Sequence, residues 1–145
     1  MNKNKQPRYA QCYLNLTRLF DPAEMIFIMN MHQMEYLRQI QPERKWSKAF
    51  LMKKMNLGEK VFDRCVRRLQ KMELLIVSPD YHPDYRWDTA LYLRLVKILS
   101  ATKDSDAIDE FCRRVFLEQG RSIASISDQE IEILGKNRYH PPKEA

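Results

Sequence analysis

The chain has 145 residues, a formal net charge of +6 and a hydrophobic share of 44%, which suit one folded domain, or one domain with an appendage, around a real core. No run approaches the ~18 apolar residues of a membrane span, and the opening MNKNKQPR lacks the apolar centre of a signal peptide, so a cytoplasmic location away from membranes is expected. Glycine occurs only at 58, 120 and 135, which excludes both glycine-rich nucleotide loops. Cys12, Cys65 and Cys112 make no C-x-x-C pair and His32, His82 and His140 fall in separate segments, so no disulfide framework, metal site, cofactor or catalytic group is expected.

Residues 1–20 form a basic arm with Lys3, Lys5 and Arg8, followed by Tyr13, Leu14, Leu16, Leu19 and Phe20, which suit a short strand or extended segment. Asp21, Pro22 and Glu24 then read as cap, first helical residue and capping-box partner of a helix reaching about residue 40. Met25, Ile26, Met29, Tyr36, Leu37 and Ile40 make one apolar stripe, and Phe27, Met31 and Met34 a second on the opposite side. A helix apolar on two sides is sandwiched in its own core or shared with a partner chain. The second stripe is therefore the expected interface of a homodimer. After a polar loop around Pro42, Ser47 caps a helix over residues 48–56, with Trp46 stapling its start. Phe50, Leu51 and Met55 are expected to face inward and Lys48, Lys53 and Lys54 to stay exposed.

Residues 55–76, MNLGEKVFDRCVRRLQKMELLI, join a turn, an amphipathic basic helix and an apolar strand. Val61, Phe62, Cys65, Val66, Leu69 and Met72 gather on one stripe, so Cys65 is expected to be a buried, inert core residue. Lys60, Arg64, Arg67 and Lys71 share the opposite face, with Arg68 on its flank. This segment resembles the helix-turn-helix of winged-helix DNA-binding domains, with Met55, Leu57, Gly58, Phe62, Leu69, Met72 and Leu74-Leu75-Ile76 in the places of the family pattern. Gly58 stands where Ser or Thr is usual and Glu73 where Gly is usual.

The resemblance implies a mainly helical fold, a three-helix core plus a small β-hairpin wing, with a carboxy-terminal helical extension. Residues 21–100 would be the winged-helix domain, 101–135 the extension and 136–145 a mobile tail. Leu74 to Ser78 reads as the first wing strand and residues 79–88, PDYHPDYRWD, as the wing itself, with Arg86 its one permanent cation and Tyr81, His82 and Tyr85 as phosphate donors. Residues 89–98 alternate Leu91, Leu93 and Leu95, as the second strand would, although Leu91, Leu95, Ile98 and Leu99 equally fit a helix; the strand is preferred because the first strand needs a partner. Beyond it, a helix from Asp104 or Ser105 to about Gln119 buries Ile108, Phe111, Cys112, Val115 and Phe116. Ser127 and Glu130 box a last short helix that Gly135 stops.

Charge agrees with the resemblance. Residues 38–71 hold eleven Lys or Arg against Glu43, Glu59 and Asp63, so 11 − 3 gives +8 for this segment alone. A basic block centred on a helix-turn-helix is the electrostatic footprint of a protein that touches phosphates. The expected partner is double-stranded DNA. Lys60, Arg64 and Arg67, with Asp63 near the base edges, are expected in the major groove; Lys48, Lys53, Lys54, Arg68 and Lys71 are expected on phosphates. A transcriptional regulator is the foremost expectation, beside a plasmid or phage replication-initiator module and, from another class, a winged helix that docks proteins. The residues name no small-molecule effector.

Overall fold

The computed structural model describes residues 15–136. The arm with Lys3, Lys5 and Arg8, together with Cys12, Tyr13 and Leu14, and the tail from residue 137 lie outside the described residues. The described chain is mainly helical with one two-stranded antiparallel hairpin. It divides into two compact units, one of Phe20–Tyr92 and one of Met1–Leu19 with Leu93–Ala145. The division falls between residues 92 and 93.

In the unit Phe20–Tyr92, α1 spans Pro22–Arg38 and begins with the expected capping box. The Glu24 N–H donates to Asp21 Oδ1 at 2.8 Å, and the Asp21 N–H donates to Glu24 Oε1 at 2.9 Å. The burial of this helix reverses the expected interface. Phe27, Met31 and Met34 are 0%, 0% and 1% exposed and lie in the core of their own chain, so they offer no surface to a partner. The reason is aromatic packing: the Phe27 ring packs, tilted, 5.1 Å from Phe62, which in turn meets Tyr85 edge-on at 5.9 Å. The outward side of α1 carries Ile26, Met29, Tyr36 and Leu37.

Helix α2 spans Lys48–Met55, capped by the Ser47 hydroxyl, which accepts from the Phe50 N–H at 3.1 Å. Leu51 and Met55 are buried as expected, whereas Phe50 is 41% exposed and lies against the buried Trp46, ring centroids 5.7 Å apart. Asn56 ends α2 in the left-handed region at φ 55°. The turn of residues 56–58 then delivers α3, Glu59–Lys71, whose Phe62, Cys65 and Leu69 are fully buried.

The end of α3 explains the residue found where the family pattern has glycine. Glu73 adopts φ 67°, the Leu74 N–H donates to Leu69 O at 3.0 Å and the Glu73 N–H to Gln70 O at 2.9 Å. These are the two hydrogen bonds of a Schellman ending, with the buried Leu69 and Leu74 as its apolar contact. Glutamate thus fills a glycine's backbone role, at a steric cost.

Strand β1, Leu75–Val77, pairs with β2, Tyr85–Trp87, in the register Leu75↔Trp87, Ile76↔Arg86 and Val77↔Tyr85. The second strand is thus inside the segment expected to be loop. Residues 89–98, expected to be that strand, form helix α4, Thr89–Leu99. Once β1 has its partner in residues 85–87, the backbone beyond is free to satisfy itself locally. Asp88 caps it, accepting from the Leu91 N–H at 2.9 Å, and the helical stripe Leu95, Ile98 and Leu99 is buried while Leu93 is 53% exposed.

The hairpin is tied to α1 by buried charge. Arg38, 4% exposed, donates from Nη1 to Asp84 Oδ2 and from Nη2 to the Tyr85 carbonyl, both at 3.0 Å, with its Nε 3.1 Å from Glu35 Oε1. Glu35 Oε2 accepts from the Trp87 N–H at 2.7 Å. Arg38 Nε makes no hydrogen bond of its own, so the buried pair is held by the two Nη bonds and by the nearby Glu35 charge.

In the unit containing Leu93–Ala145, α5 spans Ser105–Cys112 from its Asp104 cap and continues as a π-helical segment, Arg113–Glu118, ended at Gly120 with φ 62°. A 3-10 turn, Ile123–Ser125, leads to α6, Asp128–Lys136, opened by the expected box of Ser127 and Glu130. Gly135 lies within α6 and does not stop it; a Cβ there would come 2.9 Å from the Ala101 carbonyl oxygen, so close packing accounts for the glycine. The described part of the segment expected to be strand, residues 15–20, is a helical turn. Asn15 Nδ2 donates to Leu99 O at 2.6 Å and Leu16 is buried.

Candidate nucleic-acid interface

Helix α3 buries Phe62, Cys65 and Leu69 and so presents residues 60, 63, 64, 67, 70 and 71 on its other side. The ten residues expected at a DNA surface divide sharply by what they touch. Lys48 lies 2.9 Å from Glu59 Oε2 and 3.0 Å from Asp63 Oδ1, so α2 and α3 are clamped to each other and Asp63 is spent on a lysine. The carboxylates of Glu59 and then Asp63 push the Lys48 ammonium above its ordinary pKa.

Arg64, expected in the groove, turns to the start of α1. Its Nη1 lies 2.6 Å from Asp21 Oδ2 and 3.4 Å from the buried Glu24. The Asp21 hydrogen bond first, and its charge second, raise the Arg64 guanidinium. Burial raises the Asp21 carboxyl, but the Glu24 N–H and Arg64 together hold it below the usual aspartate range. Arg68, expected on a phosphate, lies 3.3 Å from Glu24 and over the Phe20 ring at 5.5 Å. Arg86 of β2 lies 3.3 Å from Glu35. Tyr85 is buried and offers nothing to a ligand, whereas Tyr81 at the hairpin tip is 92% exposed.

Five of the ten remain. Among the described residues Lys53, Lys54, Lys60, Arg67 and Lys71 are exposed and take part in no ion pair. Lys60, Arg67 and Lys71 sit at spacings of seven and four, which is one line along α3. Three further exposed polar residues flank these helices. Gln70 is exposed at the third position after Arg67, on the same face, and carries an amide able to donate and accept. Lys45 and Arg44 are exposed just before α2, with Arg44 lying 5.1 Å over the Trp46 ring. The helical spacing of Gln70 was the available signal. Arg38 leaves the count of surface cations altogether, since it is buried with Glu35 and Asp84.

At the start of α3, Gly58 takes the cap position without a side-chain hydrogen bond. The first N–H groups of α3 therefore lack the partner that a Ser or Thr would give. No family model matches the chain, and neither a curated protein nor a solved structure matches it. Among the described residues no helix is long and apolar enough to cross a membrane.

Proposed function

We propose that the chain binds duplex DNA as a winged helix-turn-helix and acts as a transcriptional regulator without catalysis. The observation that carries this reading is selective pairing on α3. Carboxylates of the chain occupy the flanking Arg64 and Arg68, while Lys60, Arg67 and Lys71 in line along the helix, with Gln70 between, are left to an external anion. The order of three helices and a hairpin, with a three-residue turn before α3, supports it, because in that arrangement α3 enters the major groove and α2 crosses the backbone. Lys53 and Lys54 on α2 then meet phosphates. Arg67 and Gln70 meet base edges.

The test is a pair of variants titrated against one duplex over a range of salt. Arg67→Ala lowers affinity by about 1 to 3 kcal/mol if it reads a base, and relaxes preference at one position. Lys53→Ala weakens all sequences alike and reduces the salt slope by about one unit. Both melt within about 0.5 kcal/mol of the wild type, since each lies on the surface. If both variants bind as the parent does at every salt concentration, the reading fails.

A second reading, docking of another protein, is favoured by one observation: the outward side of α1 is apolar. Docking there is insensitive to salt, in contrast to phosphate binding.

A further inference from the structure

Helix α1 is built inside out with respect to charge. Its three charged side chains, Glu24, Glu35 and Arg38, are 2%, 9% and 4% exposed and all are ion-paired inward. Its outward side carries none. There Ile26, Met29, Tyr36 and Leu37 are 42%, 41%, 61% and 43% exposed, and Ile40, in the turn that prolongs the helix, is 69% exposed. With the exposed Gln33 between them, residues 26, 29, 33, 36 and 40 repeat at spacings of three, four, three and four. That is the seam of a two-stranded coiled coil, with one polar residue in the middle of it.

We infer that this seam, Ile26, Met29, Gln33, Tyr36 and Ile40 with Leu37 alongside, pairs the chain with a second copy of itself. Charge permits a copy. Two molecules at +6 repel over most of their surfaces, but two uncharged faces meet without bringing like charges into contact. Area is sufficient. Large side chains present about 200 Å² each when free, so the five apolar ones at these exposures offer roughly 500 Å² per copy, and two copies reach about the 1,000 Å² that a specific interface requires. The spacing is self-complementary as well, because a three-four repeat packs best against another three-four repeat, and Gln33 in the centre sets the register. The face lies opposite Phe27, which packs on α3, so pairing here leaves the exposed side of α3 uncovered. The inference does not rest on DNA binding.

Sedimentation equilibrium of the full chain without DNA tests it. The parent shows a monomer–dimer equilibrium in the micromolar range. The doubly substituted chains Met29→Lys with Tyr36→Lys, and Met29→Glu with Tyr36→Glu, each weaken self-association by about tenfold or more, which corresponds to ~1.4 kcal/mol. Their thermal melts match the parent, and mixing the two restores the dimer. Should either melt early, Gln33→Arg at an already polar exposed site places like charges across the seam and gives the same loss. A parent that stays monomeric throughout the range overturns the inference and leaves the face to a different protein. So does a dimer that persists unchanged in the charged variants.

Discussion

At Glu73 a single side chain is held where its own geometry resists. A non-glycine residue at φ 67° places its Cβ against the following carbonyl, a cost of about 1 to 2 kcal/mol, and the Schellman hydrogen bonds at the end of α3 hold it there. Glu73→Gly therefore stabilises the protein by about 1 kcal/mol in denaturant titrations, less the entropy that glycine adds to the unfolded chain. Cys65 shows the opposite situation, a residue at ease in its place. It is fully buried, and desolvation pushes its thiol up to about 11. A thiol reagent at neutral pH accordingly modifies Cys65 in the native protein far more slowly than in denaturant. Equal rates in the two states would mean that the inward face of α3 has been misassigned, and Lys60, Arg67 and Lys71 with it.

Among the elements, α6 depends on one carboxylate. Glu130 accepts from Arg121 Nη1 at 2.6 Å and from the Ser127 N–H at 2.9 Å, and these hold its carboxyl down at about 2. A pKa lowered in the folded state contributes stability that is complete above the ordinary glutamate value of 4.5 and is lost as pH falls towards about 2. The acid limb of a stability–pH curve should thus be shallower for Glu130→Gln than for the parent, with the two curves running parallel above pH ~5. Helices α1 and α4 show how far an element can be read from its own residues. The cap of α1 was legible because Asp21, Pro22 and Glu24 act only on neighbours in sequence. For α4 the alternation of Leu91, Leu93 and Leu95 competed with the helical stripe Leu91, Leu95 and Leu99. What decided between them lay elsewhere, in Tyr85, Arg86 and Trp87 pairing with β1 first.

For the whole molecule, the number of cations left unpaired bounds its response to salt. If Lys53, Lys54, Lys60, Lys71 and Arg67 all meet phosphates, log affinity falls with log salt at a slope of roughly −4 to −5. The eleven cations counted between residues 38 and 71 would give roughly twice that slope. A measured slope of about −7 would show that the ion pairs of Lys48, Arg64 and Arg68 open on binding, and one near zero would remove the phosphate surface. Arg38, buried and paired with Glu35 and Asp84, takes no part in this, because a charge already paired inside the fold releases no counterion.

What the sequence determined by itself was local and periodic. It included the caps of α1, α2 and α6, the inward stripe of α3, the first strand of the hairpin and the basic character of residues 38–71. Each follows from interactions within a few residues of one another, where spacing dictates geometry. What only the tertiary structure decided was pairing at a distance. Periodicity showed that α1 has two apolar sides, but the choice of Phe27, Met31 and Met34 for the core depended on Phe62, thirty-five positions beyond Phe27, reaching its ring. Likewise composition counted the cations, whereas Asp21, Glu24 and Glu35, three acids outside the basic block, selected which of them would face solvent. A carboxylate acts on whichever guanidinium the fold brings within about 4 Å, and sequence spacing carries no record of that distance.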